Sequence, residues 1–204
     1  VMPFSPRDSK GLLISSIEDN NPVIFIEHRW LHSIKQQVPK SYYKIKIGTG
    51  RVACQGKDIS LISYSYGIFE CLKASKILKE KFNISAEVID LRTIRPLDKN
   101  IILKSVKKTK RILAVDNSWK SFGVSAEIIS IITDNLKTKD IKKIARIGNV
   151  EVPCPSTRAL AKDFYCNYIT IVNKVLNMID SKKKYIKKNN LYDDVPDKSF
   201  KGPF

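Results

Sequence analysis

Apolar and polar residues alternate along the chain in blocks that predict strands and amphipathic helices in turn. Short apolar runs bounded by charge predict buried strands at Ile59 to Tyr64, Val88 to Leu91 and Arg111 to Asp116. Helical spacing of the apolar residues between them predicts helices from Gly67 to Phe82 and from Lys99 to Lys108. Such alternation is typical of a sheet covered by helices. We therefore expect an α/β fold with a mostly parallel, five-stranded sheet and helices on both faces.

The stretch EVIDLRTIRPLD, from Glu87 to Asp98, is central to this pattern because it holds a strand, a turn and a helix cap. Pro96 marks the turn, and Asp98 is placed to cap the helix that follows. In parallel sheets, functional loops lie at the carboxyl ends of strands, and Arg92 and Arg95 fall at such an end. These two arginines are therefore candidate functional residues.

Downstream, the pattern predicts a helix over Val124 to Leu136, a lysine-interrupted strand over Ile141 to Ile147, and a last helix over Tyr168 to Ile179. Ser156 is a candidate N-cap for a short helix that reaches Phe164. These elements complete the predicted sheet and its cover.

Two aromatic residues, Trp119 and Phe122, follow the strand that ends at Asp116. Aromatic residues in a strand-end loop form either a local hydrophobic plug or a protein interface. Because exposed aromatics are enriched where proteins meet, we interpret Trp119 and Phe122 as interface residues.

Upstream, Ser5 is a candidate N-cap for a short amphipathic helix, with Pro6 at its first position. The apolar run Pro22 to Ile26 then predicts a buried strand, and Tyr42 to Ile47 predicts another. The segment Arg51 to Asp58 resembles a hairpin that leads into the strand from Ile59.

The composition supports a folded chain with an appendage. Of the 204 residues, 43% are hydrophobic, and no apolar run is long enough to cross a bilayer. Nothing at the start resembles a signal peptide. Four separated cysteines without a Cys-x-x-Cys pair indicate reduced thiols rather than a zinc knuckle or a disulfide framework. We therefore expect a cytoplasmic protein, or one of the mitochondrial matrix if it is eukaryotic, that does not enter membranes.

The net charge of +17 comes from 37 basic and 20 acidic residues. It indicates either a surface for nucleic acid or an acidic partner, or general enrichment in lysine. Lysines are scattered along every element, which favours the second interpretation, and clustering on one face would favour the first. The one dense run, Lys182 to Lys188, lies near the chain end.

Three local features have both a structural and a functional interpretation. His28 and His32 could ligate zinc on a helix, but no third ligand is near, so an ordinary loop is favoured. Gly67 could open a phosphate site at a helix N-terminus, although a lone glycine is weak support. The carbonyls at the end of the first helix, beside Asp19, could hold a monovalent cation or form an ordinary cap.

Several segments together resemble the C-terminal part of the beta subunit of thiamine-diphosphate-dependent 2-oxo acid dehydrogenases of the pyruvate or branched-chain type, in the transketolase superfamily. They are MPFSPRDSKGLLISSIEDNNPVIFIEH, EVIDLRTIRPLD, NSWKSFGVSAEI and RIGNVEVPCPS, and they occur in the family's order up to about Ile179. The resemblance implies that 1–32 closes a pyrimidine-binding domain, 33–50 is a linker and 51–180 is the transketolase C-terminal domain. Residues 181–204 would then form a basic tail that is disordered or lies on a partner.

The resemblance also implies what the complete enzyme does. That enzyme would use thiamine diphosphate and magnesium to decarboxylate a 2-oxo acid and transfer the acyl unit. The family's glutamate that activates thiamine, and an active-site histidine, lie upstream of the equivalent of Val1, and the diphosphate-binding half belongs to the alpha subunit. We therefore expect no catalytic or cofactor-binding residue in this chain, and Val1 to mark an artificial, proteolytic or gene boundary.

The resemblance further implies a metal site and partners. Family members hold potassium at the segment matching Ser16, Ile17, Asp19 and Asn21. The expected partners are the alpha subunit and a second beta subunit, in a heterotetramer, and we expect Arg92, Arg95, Trp119 and Phe122 to lie at these interfaces. An acyltransferase component with a basic peripheral domain would also dock on the family's domain, but a chain of net charge +17 fits that partner poorly. The alternatives are the end-piece of a transketolase or deoxyxylulose-phosphate synthase, or a non-enzymatic basic binding module.

Overall fold

The computed structural model describes residues 1–157, 164–179 and 185–186. Its main elements are α1 (Pro6–Ile17), β1 (Arg51–Cys54), β2 (Ile59–Ser63), α2 (Tyr66–Phe82), β3 (Ala86–Asp90), α3 (Lys99–Thr109), β4 (Arg111–Trp119), α4 (Val124–Asn135), β5 (Lys143–Asn149) and α5 (Tyr168–Ile179). The expected helix up to Phe164 and the tail from Ser181 fall mostly outside the described residues.

The five strands form one sheet in the order β1-β3-β2-β4-β5, and all neighbours are parallel except β1 and β3. The strand order reverses between β2 and β4, since β2 leads to β3 on one side and β4 leads to β5 on the other. The predicted five-stranded, mostly parallel sheet is therefore confirmed.

Helices cover both faces, as expected. On one face, Ile68 and Leu78 of α2 and Val172 of α5 pack on Leu61 and Leu113 of the sheet. On the other face, residues of α3 and α4 pack on alternate strand positions; these are Ile102, Val106, Ile128 and Ile132 against Ile62, Ile89 and Ile112. Strands buried on both faces read as continuous apolar runs, which is why they were visible in the sequence.

Local capping explains where the helices begin. Ser5 accepts from the amide of Asp8 at the start of α1, with Pro6 in the first turn. Asp98 accepts from the amide of Ile101 and so caps α3. Both predicted caps are confirmed.

Three predictions for the first 58 residues are wrong. The segment from Pro22 to Ile26 is extended but forms no strand, because its described backbone partner is Val1 alone; Val1 bonds to the carbonyl of Ile24 and the amide of Ile26. The segment Tyr42 to Ile47 is not a strand either. Its Ile45 bonds to α1 instead, through the carbonyl of Gly11 and the hydroxyl of Ser15.

The predicted hairpin from Arg51 to Asp58 is also wrong. β1 pairs with β3, antiparallel, with Arg51 opposite Asp90. Gly56 then passes so close to β3 that an added Cβ would lie 2.2 Å from the backbone of Ala86 and Glu87. The connection therefore crosses the amino end of β3 to reach β2 beyond it.

Candidate functional site

The first 48 residues lie across the carboxyl edge of the sheet, the edge at which β2, β3 and β4 end. The amide of Met2 donates to the carbonyl of Arg92 at 2.8 Å, in the loop after β3. Gly48 packs against Pro96 of the same loop, where a Cβ would come within 2.8 Å of the proline ring. The edge that usually binds ligands in such sheets is thus covered by the chain itself.

A buried carboxylate, Asp8, joins α1 to the sheet. Its Oδ1 accepts from Arg92 Nη2 at 2.7 Å, and its Oδ2 lies 3.0 Å from Arg51 Nη2. Ser5 Oγ donates to the same Oδ2 at 2.6 Å. Asp8 is fully buried, so both guanidinium groups compensate a charge that water does not reach.

Asp90, at the end of β3, is the second carboxylate of this network. Its Oδ2 accepts from Arg51 Nε at 3.2 Å, and its Oδ1 accepts from the amide of Arg92 at 3.1 Å. Full burial raises the pKa of Asp90 to about 6; Arg51 and Arg92 oppose this rise, and the nearby Asp8 carboxylate adds to it. Arg92 sits in the left-handed region (φ 59°), which turns the chain so that amide and guanidinium face the two aspartates. We call Asp8, Arg51, Asp90 and Arg92 the Asp8 network.

Asp116 closes the neighbouring part of the same edge, in β4, directly after the regular pairing with β5 stops at Val115. Its Oδ1 accepts from the hydroxyl of Tyr64 at 2.5 Å and from Ser118 Oγ at 2.7 Å. Its Oδ2 accepts from the amide of Ser125 at 2.7 Å, in the first turn of α4. Gly123 makes this possible, because a Cβ there would lie 2.5 Å from Asp116 Oδ2. Burial, followed by the Asp116 charge, raises the pKa of Tyr64 well above its ordinary value.

An aromatic cluster fixes the segment around His28 to the N-terminal turn of α2. The His28 ring stacks on Tyr66 with centroids 4.7 Å apart, and Trp30 contacts both Tyr66 and Tyr165 edge-on. His28 Nδ1 accepts from the amide of Trp30 at 3.3 Å. Burial, together with the nearby His32, lowers the pKa of His28 to about 4, so this ring is neutral at pH 7. Across the described ranges, no three His, Cys, Asp or Glu residues are grouped to hold a metal ion.

The segment predicted as a linker, 33–50, is bound to α1 through its residues from Pro39 to Ile45. The Lys10 ammonium donates to the carbonyls of Pro39 and Ser41 at 2.6 and 2.9 Å. The amide of Ile45 donates to the carbonyl of Gly11, where a Cβ would lie 2.7 Å from the Ile45 side chain. The linker therefore holds a fixed course between α1 and β1.

Three of the four predicted interface residues are exposed, and the fourth, Arg92, is not. The Arg92 side chain is turned into the chain, in the Asp8 network, whereas Arg95 in the same loop is exposed. Trp119 is 53% exposed, and Phe122 is fully exposed with φ of 56°. A hydrogen bond from the amide of Ser121 to Glu151 (2.9 Å) ties this loop to the segment after β5.

Val150 and Val152, in the segment after β5, are also half-exposed. They lie beyond Asn149, which is opposite Trp119 in the β4–β5 register. The carboxyl edge thus presents apolar side chains outward at the end away from the Asp8 network. No signal in the sequence had drawn attention to the two valines.

The four residues expected to hold potassium lie at the C-terminal end of α1 and the turn after it. Ser16 Oγ donates to the carbonyl of Leu12 at 2.8 Å, which leaves its lone pairs able to accept a cation. Asp19 Oδ1 accepts from the amide and the side chain of Asn21, at 2.9 and 3.0 Å. The donor set suits a monovalent cation chemically, although the Lys44 ammonium, 2.9 Å from Glu18, places a competing charge beside it.

Sequence reasoning missed Asp8 and Asp116 as the residues that hold the edge together. Asp8 lies in the first turn of the predicted first helix, where an acidic residue is ordinary, and Asp116 ends a predicted strand. The available signal was an acidic residue at a position that the apolar pattern marks as buried.

Comparison with known proteins adds a family and its relatives. The family model described as "Transketolase, C-terminal domain" matches residues 48–168. The pyruvate dehydrogenase E1 component subunit beta of Bacillus subtilis is 41% identical over 160 residues, which cover 78% of this chain and 49% of that protein. The protein of the same name from Mycoplasma genitalium is 38% identical over 181 residues, or 86% of this chain and 55% of its own length.

A solved structure of a "Split gene transketolase, inactive beta4 tetramer" superposes on 89% of this chain and 57% of its own, with a TM-score of 0.72 and 18% identity. That likeness concerns the fold alone. The chain spans about half the length of the curated relatives it matches.

Proposed function

Because the chain belongs to the transketolase C-terminal domain family, we propose that it is the assembly domain of the beta subunit of a thiamine-diphosphate-dependent 2-oxo acid dehydrogenase. The observation that carries this proposal is the 41% identity, over 160 residues, to a pyruvate dehydrogenase E1 beta subunit. The complete enzyme would decarboxylate pyruvate or a similar 2-oxo acid and pass the acyl unit on.

We propose that thiamine diphosphate binds in a part of the complete enzyme outside this chain, and the N-terminus of α4 supports this. Free backbone amides at a helix N-terminus are a common site for a diphosphate. At α4 that place is taken by the carboxylate of Asp116, and such a charge would repel a diphosphate. The carboxyl edge therefore favours assembly over cofactor binding, and we assign the cofactor and its magnesium to the complete enzyme.

We assign the exposed side chains of Trp119, Phe122 and Arg95 to subunit contacts with the alpha subunit or a second beta subunit. Aromatic side chains at such exposure are typical of interface anchors. Arg92 would support this surface indirectly, because it fixes the loop that presents Arg95. We also propose a cytoplasmic location, which the free thiols of all four cysteines support.

The assembly role is tested by co-expressing this chain, within its complete beta subunit, with an alpha subunit and measuring mass by light scattering. We expect a heterotetramer with thiamine-dependent pyruvate decarboxylation, and the isolated chain to be inactive. Replacing Trp119 and Phe122 by Ala should weaken assembly at least tenfold, while Val52→Ala serves as an exposed apolar control. Full assembly of the double variant would refute the interface, and activity of the isolated chain would refute the assembly role.

The potassium assignment to Ser16, Ile17, Asp19 and Asn21 has a separate test. If the site binds potassium, replacing sodium by potassium at constant ionic strength should raise the melting temperature of the complete subunit. Asp19→Ala should abolish that difference, whereas Asp134→Ala should not. Equal melting temperatures in the two salts would refute the site.

A further inference from the structure

The amino edge of the sheet, opposite the Asp8 network, collects positive charge. The amide of Lys142 donates to the carbonyl of Lys110 at 2.7 Å, and Arg111 lies opposite Lys143 in the parallel register of β4 and β5. The loop between α4 and β5 adds two exposed lysines. We call this set the basic amino-edge patch, and its members are Lys110, Arg111, Lys137, Lys139, Lys142 and Lys143.

None of the ion pairs found between described residues involves the patch. Arg111 reaches the backbone carbonyl of Asp58 at 3.4 Å, which does not neutralise it. Asp140 is the acidic residue within this loop, and it is exposed. Like charges held opposite each other in a sheet destabilise it, so the patch carries an unfavourable self-repulsion.

The helix dipole does not account for this charge. Lys107 and Lys108 lie in the last turn of α3, where a cation stabilises the helix, and Lys108 also pairs with Glu87. Lys110 is the C-cap of α3 and shares this explanation. In contrast, Lys137, Lys139, Lys142 and Lys143 lie in the loop after α4 or at the start of β5, and the last turn of α4 has no basic residue. These four lysines therefore lack the explanation that suffices for the lysines of α3.

The surface beside the patch identifies the kind of ligand. A groove of about 240 Å³ is lined by Leu136, Ile141 and Ile144 together with Lys142 and Lys143. β5 is the edge strand of the sheet that the described residues form, so its outer backbone can pair with an extended segment. Unpaired backbone, an apolar groove and lysines together match a peptide that has both acidic and apolar side chains.

Nucleic acid matches the same surface less well. No aromatic side chain lies among the described residues that line the groove, so bases have nothing to stack on. Five of the six patch residues are lysines, which bind phosphate as point charges rather than through the fork of arginine. The apolar groove would also remain unfilled under a phosphate backbone.

We propose that the basic amino-edge patch binds an acidic, extended segment of a partner protein, with an apolar side chain in the groove beside β5. This site lies at the opposite edge of the sheet from the subunit contacts assigned above, and does not depend on them.

Fluorescence anisotropy of the chain with labelled probes tests the proposal. The probes are a peptide of alternating glutamate and leucine, a peptide of glutamate alone, and duplex DNA of matched charge. We expect the alternating peptide to bind most tightly and its affinity to fall as salt rises. Reversal of Lys137, Lys139, Lys142 and Lys143 to Glu should weaken it by about tenfold or more.

A control with the same change in net charge separates site from bulk charge. It reverses four exposed lysines elsewhere, namely Lys35, Lys40, Lys46 and Lys99. Equal weakening by both variants would overturn the proposal, as would tighter binding of DNA than of the alternating peptide, or no binding of the peptide. Ile144→Ser, which removes the apolar side chain without adding charge, should weaken binding of the alternating peptide and leave binding of the glutamate peptide unaffected.

The repulsion between the charges of the patch can be measured without a ligand, through the melting temperature. Lys143→Glu places a carboxylate opposite Arg111, so the melting temperature should rise, and Lys35→Glu, an exposed change outside the helices and strands, should leave it unchanged. A fall with Lys143→Glu would contradict the claim that the patch is unpaired.

Discussion

The two edges of the sheet handle charge in opposite ways. At the carboxyl edge, Asp8, Asp90 and Asp116 are fully buried, and each has several donors from its own chain. At the amino edge, the lysines of the patch are exposed and the described carboxylates form no ion pair with them. Removing one member of a buried ion pair lowers the free energy of unfolding by about 3–5 kcal/mol, whereas removing an exposed charge changes it by about 1 kcal/mol or less.

This difference teaches where each edge can act. At the carboxyl edge, the buried carboxylates bond to donors of their own chain, and Arg92 connects the first 48 residues to the sheet through Asp8 and Met2. The amino edge keeps its charges available to a partner. Substitutions that remove charge should therefore lower the free energy of unfolding strongly at the carboxyl edge and little at the amino edge.

The largest effect is expected at Asp8. Asp8→Ala would leave Arg51 and Arg92 close together without their carboxylate, and we expect a loss of about 3–5 kcal/mol in the free energy of unfolding. Urea denaturation measures this, with the exposed Asp19→Ala as control. A loss below about 1 kcal/mol would show that the connection between α1 and the sheet does not depend on the buried charge.

The second largest effect is expected at Asp116, which lies at the same carboxyl edge. Asp116→Ala removes the acceptor of Tyr64, Ser118 and Ser125, so we expect a loss of about 3 kcal/mol from buried donors left without partners. Hydrogen exchange should show α4 opening first, since its first turn loses its cap. Unchanged protection of the Ser125 amide would contradict this interpretation.

A smaller effect is expected in the pH dependence of the free energy of unfolding, through Asp90. The folded-state pKa of Asp90, about 6, lies above its ordinary value of 3.8, so its contribution to stability is present below pH 4 and is lost as pH rises through 6. Relative to Asp90→Asn, the unchanged protein should therefore lose on the order of 2 kcal/mol between pH 4 and 7. If the difference instead grew with pH, the arginines would outweigh burial.

The smallest effect is expected where the linker meets α1. Lys10→Met removes the ammonium bound to the carbonyls of Pro39 and Ser41, at a cost of about 1 kcal/mol because the contact is exposed. Limited proteolysis should show faster cleavage between residues 33 and 50. The matched variant Lys35→Met should be cleaved at the rate of the unchanged protein.

Much of the fold could be predicted because its signals are local. The strands β2, β3 and β4 are buried on both faces and bounded by charge, and Ser5 and Asp98 are caps whose chemistry is visible in three residues. The mostly parallel direction of the strands and the coverage of both faces then follow from the alternation of strand and helix. The family resemblance rests on the same segments.

The failed predictions concern partners distant in sequence. β1 pairs with β3, although β2 follows it directly in the chain, and a hairpin signal cannot express that choice. Tyr42 to Ile47 has the composition of a strand, but the α1 helix supplies its contacts. The Asp8 network joins residues up to 84 positions apart, which no local pattern reveals. The candidate site was therefore less predictable than the fold that carries it.

The antiparallel direction of β1 decides how the molecule would respond to mechanical load. Because Arg51, at its start, lies opposite Asp90, the end of β3, the linker enters the domain at the carboxyl edge. Tension on the linker would reach the Gly50–Asp98 hydrogen bond first and the Arg51–Asp90 pair next. It would thus peel β1 from one end, one bond at a time, while the four parallel strands beyond it stayed unloaded.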